Sequence, residues 1–144
     1  MRVEETFTVG RPPEVVFDYV TDPSNLPDWQ TVHTSTEQLT DGPPQLGSQF
    51  RERLKPPFSR EFEQVTEFTE FDRPRRLHVH VVDGKFPLDG TWSFEPDDSG
   101  TRVHFTADGQ LPAAMRLLEP VVARVVARQF AGYHRNLRRN LEHR

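Results

Sequence analysis

The sequence contains no cysteine, which excludes disulfide bonds, thiolate metal sites and cysteine nucleophiles. It also lacks any apolar run approaching the roughly 20 residues that a membrane-spanning helix needs. A glycine-rich phosphate loop, a zinc-ligand spacing and a nucleophile elbow are missing too, so we expect neither a cofactor nor a bound metal. The net charge of −4 disfavours nucleic acid as a partner.

The composition is that of one globular domain. With 144 residues, 34% hydrophobic and 28% charged, the chain is expected to form a single domain over residues 1–144 around one core. Its first residues, MRVEETFTV, alternate polar and apolar side chains, so we expect no signal peptide and a soluble cytoplasmic protein. Composition does not distinguish a monomer from a homodimer.

The periodicity of apolar residues predicts an α+β protein in the order strand, two short helices, six strands and one long helix. Alternation places Val3, Phe7 and Val9 on one face of the first strand, residues 2–9. Short connectors such as Asp83-Gly84 indicate antiparallel neighbours in a meander. The later strands are expected at 32–40, 47–55, 60–71, 76–83, 86–95 and 101–109, and the long helix at 120–141, beginning at a break or kink at Pro120.

The stretch DPSNLPDWQ, residues 22–30, lies between the first helix and the second strand. Pro23 ends the first helix, because the residue before a proline is pushed away from helical angles. Ser24 then caps a second short helix that ends near Trp29. The two helices would form a wedge whose apolar residues, Leu26 and Trp29, cover the open end of a curved sheet. An ordinary core position for Trp29 explains the sequence equally well.

This order of elements resembles the START-related, or SRPBCC, superfamily with its helix-grip fold. That superfamily includes polyketide cyclase/dehydrase-type proteins and pollen-allergen-like ligand binders. The resemblance is carried by the long C-terminal helix and by RPPEVVFDYVTDPSNLPDW at 11–29, LGSQF at 46–50, VTEFTEFDRPRRL at 65–77 and GTWSFEPDDSGTRVHF at 90–105. It implies a curved antiparallel sheet of about seven strands, a long helix across it, and a cavity between the two that the short helices close at one end.

Strand alternation indicates which side chains face that cavity. Residues Phe50, Glu52 and Leu54 share one face of their strand, opposite a solvent face that carries Arg51 and Arg53. The inner face is mostly aromatic and aliphatic with a few polar points, which suits a largely apolar small molecule. The predicted ligand-binding residues are Trp29, Phe50, Leu54, Phe62, Gln64, Thr66, Val79, Trp92, Phe105, Leu118, Val122, Val125 and Gln129.

Glu52 is the candidate catalytic residue. A carboxyl group in apolar surroundings has a raised pKa, which would suit a general acid or base. Alternatively, Glu52 lies at a strand end and reaches water, pairs with an arginine, or is turned outward by a bulge.

Three histidines, His33, His78 and His80, are expected on the surface. His78 and His80 alternate with apolar residues, which places them on the outer face of the sheet. His33 could lie near the cavity mouth, but a surface position is the simpler interpretation.

Two functions fit these patterns, and a third is weaker. The first is binding of an apolar or aromatic small molecule, such as a lipid, an isoprenoid or a polyketide-like compound. The alternative, implied by the resemblance, is a polyketide cyclase/dehydratase that folds a polyketide chain for aldol cyclisation and dehydration, with Glu52 as acid or base and Gln64 and Thr66 orienting the chain. The third is a protein-interaction module that uses the outer sheet or the arginine-rich C-terminal end.

Overall fold

The protein is described from a computed structural model, which covers residues 1–57 and 59–144. The predicted α+β class and order of elements are confirmed. In chain order the elements are β1 (Arg2–Val9), α1 (Pro13–Thr21), a 3-10 turn (Pro23–Asn25), α2 (Leu26–Trp29), β2 (His33–Gln38), β3 (Gln49–Leu54), β4 (Phe62–Asp72), β5 (Arg76–Asp83), β6 (Leu88–Asp97), β7 (Gly100–Gly109), a 3-10 helix (Ala113–Leu118) and α3 (Glu119–Glu142).

The seven strands form one antiparallel sheet in the order β1-β7-β6-β5-β4-β3-β2. Strands β2 to β7 are the predicted meander, while β1 pairs with β7 from Arg2 opposite Asp108 to Val9 opposite Thr101. Since β1 and β2 lie at opposite edges, α1 and α2 carry the chain from one edge of the sheet to the other.

Prolines stand where helices begin. Pro13 lies in the first turn of α1 and Pro120 in the first turn of α3. Amides in a first helical turn have no partner within the helix, so a proline costs no hydrogen bond there. The expected break at Pro120 is therefore a change from the 3-10 helix to α3.

The core lies between the inner face of the sheet and the helices. Phe17 of α1 makes edge-to-face contacts with Phe71 at 5.0 Å and with Phe94 at 5.6 Å between ring centroids. Buried residues of β1, β6 and β7 complete this part of the core: Val3, Phe7, Val9, Trp92, Phe94, Val103, Phe105 and Ala107.

Helix α3 is docked mainly through its C-terminal half. Tyr133, His134, Leu137 and Leu141 are the buried residues of α3, whereas Val121 is 61% exposed. The same half is tied to other elements by hydrogen bonds, from the Asn136 amide to the Trp29 carbonyl, from the Asn140 amide to the Asp28 carbonyl, and from the Gly10 amide to the Glu142 carboxylate. Neither α3 nor any other helix of the described residues is long and apolar enough to cross a membrane.

A buried chain of hydrogen bonds joins β6, α3 and β1. The Trp92 indole donates to His134 Nε2 at 3.1 Å, and His134 Nδ1 lies 2.6 Å from Glu5 Oε1. Since an indole N–H only donates, Nε2 is the acceptor and the His134 proton sits on Nδ1, directed at Glu5. Burial lowers the pKa of His134 although Glu5 works in the opposite direction, so this ring stays neutral.

We predict that Leu137→Ala lowers the free energy of unfolding by about 2–5 kcal/mol, because it leaves a cavity where α3 meets the sheet. Leu137 is fully buried. Urea denaturation measures the change. The matched control is Val121→Ala on the exposed half of the same helix, which should change the free energy by less than about 0.5 kcal/mol. Similar losses in both variants would contradict docking through the C-terminal half.

Candidate functional site

A cavity of about 750 Å³ lies between the sheet and α3. Inner-face residues of β2 to β6 form one wall, α3 forms another, and residues of the short helices and of the segment after β7 complete it. This volume falls within the range of small-molecule sites, roughly 300–1,000 Å³. Most of the lining side chains are apolar, and the polar ones include His33, Glu52, Gln64 and Thr66.

Most of the residues expected at the cavity do line it. They are Trp29, Phe50, Glu52, Leu54, Phe62, Gln64, Thr66, Val79, Trp92, Val122, Val125 and Gln129. Strand alternation therefore places the inner face correctly. Contact of these residues with a ligand stays a prediction.

Two expected residues, Phe105 and Leu118, do not line the cavity. Phe105 faces inward but is fully buried, because Trp92 and Phe130 pack on it with ring centroids 4.8 and 4.6 Å away. Leu118 ends the 3-10 helix and is 53% exposed. A 3-10 helix has three residues per turn and an α-helix 3.6, so Leu118 does not continue the row of α3 residues that faces the cavity.

Trp29 is both a core residue and a cavity residue, the two positions that the sequence left open for it. It is 1% exposed, as a core residue would be, and it also lines the cavity. Its ring meets that of Trp92 edge-to-face, with centroids 6.2 Å apart. Gly90 makes room for this pair, since a Cβ there would lie 2.9 Å from a ring carbon of Trp92. The two tryptophans of the chain thus form one aromatic end of the cavity.

Glu52 is the centre of a buried polar cluster. Its Oε1 accepts hydrogen bonds from His33 Nε2 at 3.0 Å and from the Gln64 amide at 2.9 Å, and its Oε2 accepts one from the Thr66 hydroxyl at 2.7 Å. The pairing register of β3 and β4 brings these three side chains together. Glu52 lies directly opposite Gln64, and Thr66 is on the same face of β4 two residues further on.

The expected raised pKa of Glu52 is wrong. Burial does work to raise it, but the hydrogen bonds from His33, Gln64 and Thr66 and the charge of His33 outweigh burial, and the pKa of Glu52 lies below its ordinary value. Glu52 is therefore an ionised carboxylate at neutral pH, suited to accept a proton and unsuited to donate one. The ionisable side chain that Glu52 contacts is His33, and not an arginine.

His33 is buried at 6% exposure, so the expected surface position is wrong. Its Nδ1 lies 3.2 Å from the Gln30 carbonyl, and its Nε2 faces Glu52. A carbonyl and a carboxylate both accept, so the arrangement is fully satisfied when the ring carries two protons and forms an ion pair with Glu52. The chain reverses between Gln30 and His33, which turns the first side chain of β2 toward the cavity.

Tyr133 of α3 also lines the cavity, although it was not among the expected site residues. Burial, and then the negative charge of Glu52, raise the pKa of its phenol well above the ordinary value. His78 and His80 lie on the outer face as expected, where both contact Asp89.

Comparison with known proteins finds a matching family and several similar solved structures. The family described as "Polyketide cyclase / dehydrase and lipid transport" matches residues 1–142. No curated protein matches the sequence. Similar solved structures include TTHA0849 from Thermus thermophilus, 21% identical with a TM-score of 0.81, covering 98% of this chain and 97% of that one.

Two further solved structures share the fold at lower identity. A protein of unknown function, SA2116 from Staphylococcus aureus, is 11% identical with a TM-score of 0.78 and covers 99% of this chain and 93% of that one. Ara h 8.0201 is 15% identical with a TM-score of 0.74 and covers 100% of this chain and 99% of that one. These likenesses confirm the predicted helix-grip fold.

We predict that Glu52→Gln lowers the free energy of unfolding at pH 7 by about 1–3 kcal/mol, because it leaves buried donors without a full acceptor set. Because folding lowers the pKa of Glu52 from its ordinary value of 4.5, the stabilisation is fully present above about pH 4.5 and is lost as the pH falls through the folded value. The difference between wild type and variant should therefore shrink below pH 4.5.

Denaturation by urea across pH 3–8 tests this. The control is Glu61→Gln, which removes an exposed ion pair with Arg53 and should cost about 0–1 kcal/mol. A difference between wild type and Glu52→Gln that grows on acidification would mean that Glu52 is protonated in the folded protein.

Proposed function

Because the chain belongs to the polyketide cyclase/dehydrase and lipid transport family, we propose that it binds a largely apolar or aromatic small molecule between the sheet and α3. The observation that carries the proposal is the cavity of about 750 Å³ with mostly apolar lining residues and one polar cluster. Apolar walls supply affinity by removing ligand surface from water, and a few polar groups orient the ligand.

The division of the lining supports a ligand with one polar part. Phe50, Val79 and Trp92 offer only apolar surface apart from an indole N–H that is already bonded to His134. The cluster around Glu52 presents the polar groups. A molecule whose ring system lies on the apolar wall can therefore place a hydroxyl or carbonyl group near Glu52, His33 and Gln64. The proposal includes a cytoplasmic protein that acts without nucleic acid, and it leaves the choice of monomer or homodimer to measurement.

Native mass spectrometry of freshly purified protein is the first test. We expect a non-covalent adduct of a few hundred daltons, the order of mass that a small-molecule cavity holds. The denatured protein should show the mass of the chain alone.

Blocking the cavity gives a sharper test. Val122→Trp places a large side chain in the cavity wall. Fitting a ligand beside it should cost roughly 1–3 kcal/mol through overpacking, so the neutral dye N-phenyl-1-naphthylamine should bind about tenfold more weakly. Val121→Trp is the matched control, since the neighbouring residue is 61% exposed. Equal dye affinities in both variants, measured by fluorescence titration, would contradict binding in this cavity.

A second function, aldol cyclisation of a poly-β-ketone, is favoured by the buried pair of Glu52 and His33. The Glu52 carboxylate would take a proton from a methylene between two carbonyls, and the resulting enolate carbon would add to another carbonyl carbon of the same chain. The alkoxide so formed would take a proton from His33. Glu52 would return its proton to His33 across their 3.0 Å contact, so the step is an isomerisation that precedes loss of water.

We predict for this second function that Glu52→Gln slows consumption of a short tetraketone, such as nonane-2,4,6,8-tetraone, by about 10²–10⁴-fold. Dye affinity should stay within about twofold of wild type, because the apolar wall is unchanged. Loss of the β-diketone absorbance measures the rate. A wild-type rate equal to that in buffer rejects the cyclase and leaves the binding function.

A further inference from the structure

Exposed apolar side chains are concentrated on the 3-10 helix and the first turns of α3. The large ones there are Met115, Leu117, Leu118, Val121 and Val125. Phe86 extends the group from the connection between β5 and β6, because the nearby Leu88 pairs with Gly109, from which the chain runs into the 3-10 helix. Single exposed apolar residues are ordinary, whereas a group of them marks an interaction surface.

These six residues and the arginines among them are called the mouth surface below. Leu117 is 95% exposed and Phe86 is 57% exposed. Phe86, Met115 and Val125 also line the cavity, so the mouth surface borders it.

The mouth surface is positively charged. Arg116, Arg124 and Arg128 are exposed, and none of them forms a salt bridge with another residue of the described part of the chain. Helix residues three apart are neighbours, so Arg124 and Arg128 lie beside the exposed valines. Glu119 is the one acidic residue between positions 109 and 130, and its carboxylate is 2.7 Å from the N-terminal ammonium group. This surface is therefore basic in a chain whose net charge is −4.

We propose that the mouth surface docks on an anionic lipid bilayer. Apolar side chains beside arginines are typical of helices that lie in the membrane interface, where the apolar groups enter the boundary of headgroups and acyl chains and the arginines meet lipid phosphates. A second copy of the chain fits less well, because a two-fold contact through this surface would bring the arginines of both copies together. The docking goes beyond the binding function and requires no ligand.

Cosedimentation with vesicles tests the charge of the mouth surface. Vesicles in which about a third of the lipid is phosphatidylglycerol should bind at least about tenfold more tightly than pure phosphatidylcholine, and about 0.5 M salt should remove most of that gain. Replacing two arginines, Arg124→Gln with Arg128→Gln, should weaken binding about tenfold, since each contributes up to about fivefold. The matched control is Arg135→Gln with Arg138→Gln, which changes the net charge equally on the docked half of α3 and should lose less than about threefold.

Leu117 tests the apolar contribution. Leu117→Gln should weaken vesicle binding about tenfold by removing a leucine from the interface. Its affinity for N-phenyl-1-naphthylamine should stay unchanged, because Leu117 does not line the cavity. Leu46→Gln is the control, since Leu46 is 64% exposed in the loop before β3. The chain has no cysteine, so Leu117→Cys takes a single bimane label, whose emission should shift to the blue on anionic vesicles while a label on Leu46→Cys does not.

The outcomes separate docking from the binding function. Absence of binding to anionic vesicles, or equal losses in the two arginine pairs, would overturn the docking. A dimer in sedimentation equilibrium that Leu117→Gln dissociates would assign the mouth surface to a second copy and overturn it as well. Vesicle binding without dye binding would support the docking and reject the binding function, and dye binding without vesicle binding would reject the docking alone.

Discussion

The hydrogen-bonded chain from Trp92 through His134 to Glu5 is the interaction on which the rest of this structure depends. It joins the middle of the sheet to α3 and to the edge strand β1, three elements that are far apart in sequence. The Trp92 indole can only donate, so only one tautomer of neutral His134 makes both hydrogen bonds, with Nε2 accepting from Trp92 and Nδ1 donating to Glu5. Phe105 and Phe130 pack around the same ring and exclude water from it. The orientation of α3 follows from this buried contact, and so does the shape of the space beside it.

The cavity arises because one helix does not cover the whole inner face of the sheet. Where the C-terminal half of α3 docks, it covers inner-face side chains of β1 and β7, such as Phe7 and Phe105. Beyond it, the inner faces of β3, β4 and β5 remain open to the cavity. Glu52 lies in this open region, where burial alone would make a carboxylate costly. Three hydrogen bonds, from His33, Gln64 and Thr66, keep it ionised, so a carboxylate persists inside a largely apolar site.

Local pattern was enough to predict the elements and the inner faces of the strands, because both follow from periodicity and from turn residues. Phe50, Leu54 and Val79 are examples. The pairing of β1 with β7 depends on contacts between distant parts of the chain and was found only in the structure. The burial of His33 and His134 was missed because a histidine is buried only when tertiary partners satisfy both ring nitrogens. Those partners, Glu52 and Glu5, are far from them in sequence and come into contact only in the folded chain. The pKa of Glu52 was misjudged for the same reason.

The unequal docking of α3 has a consequence for mutational tolerance. The residues of α3 that pack against the rest of the fold lie from about 130 onward. The 3-10 helix and the first turns of α3 instead line the cavity on one side and are exposed to solvent on the other. Substitutions at Met115 or Val122 should therefore alter what the cavity accepts while leaving the free energy of unfolding nearly unchanged. Such a chain can change its ligand preference by single substitutions without first acquiring others that raise its free energy of unfolding.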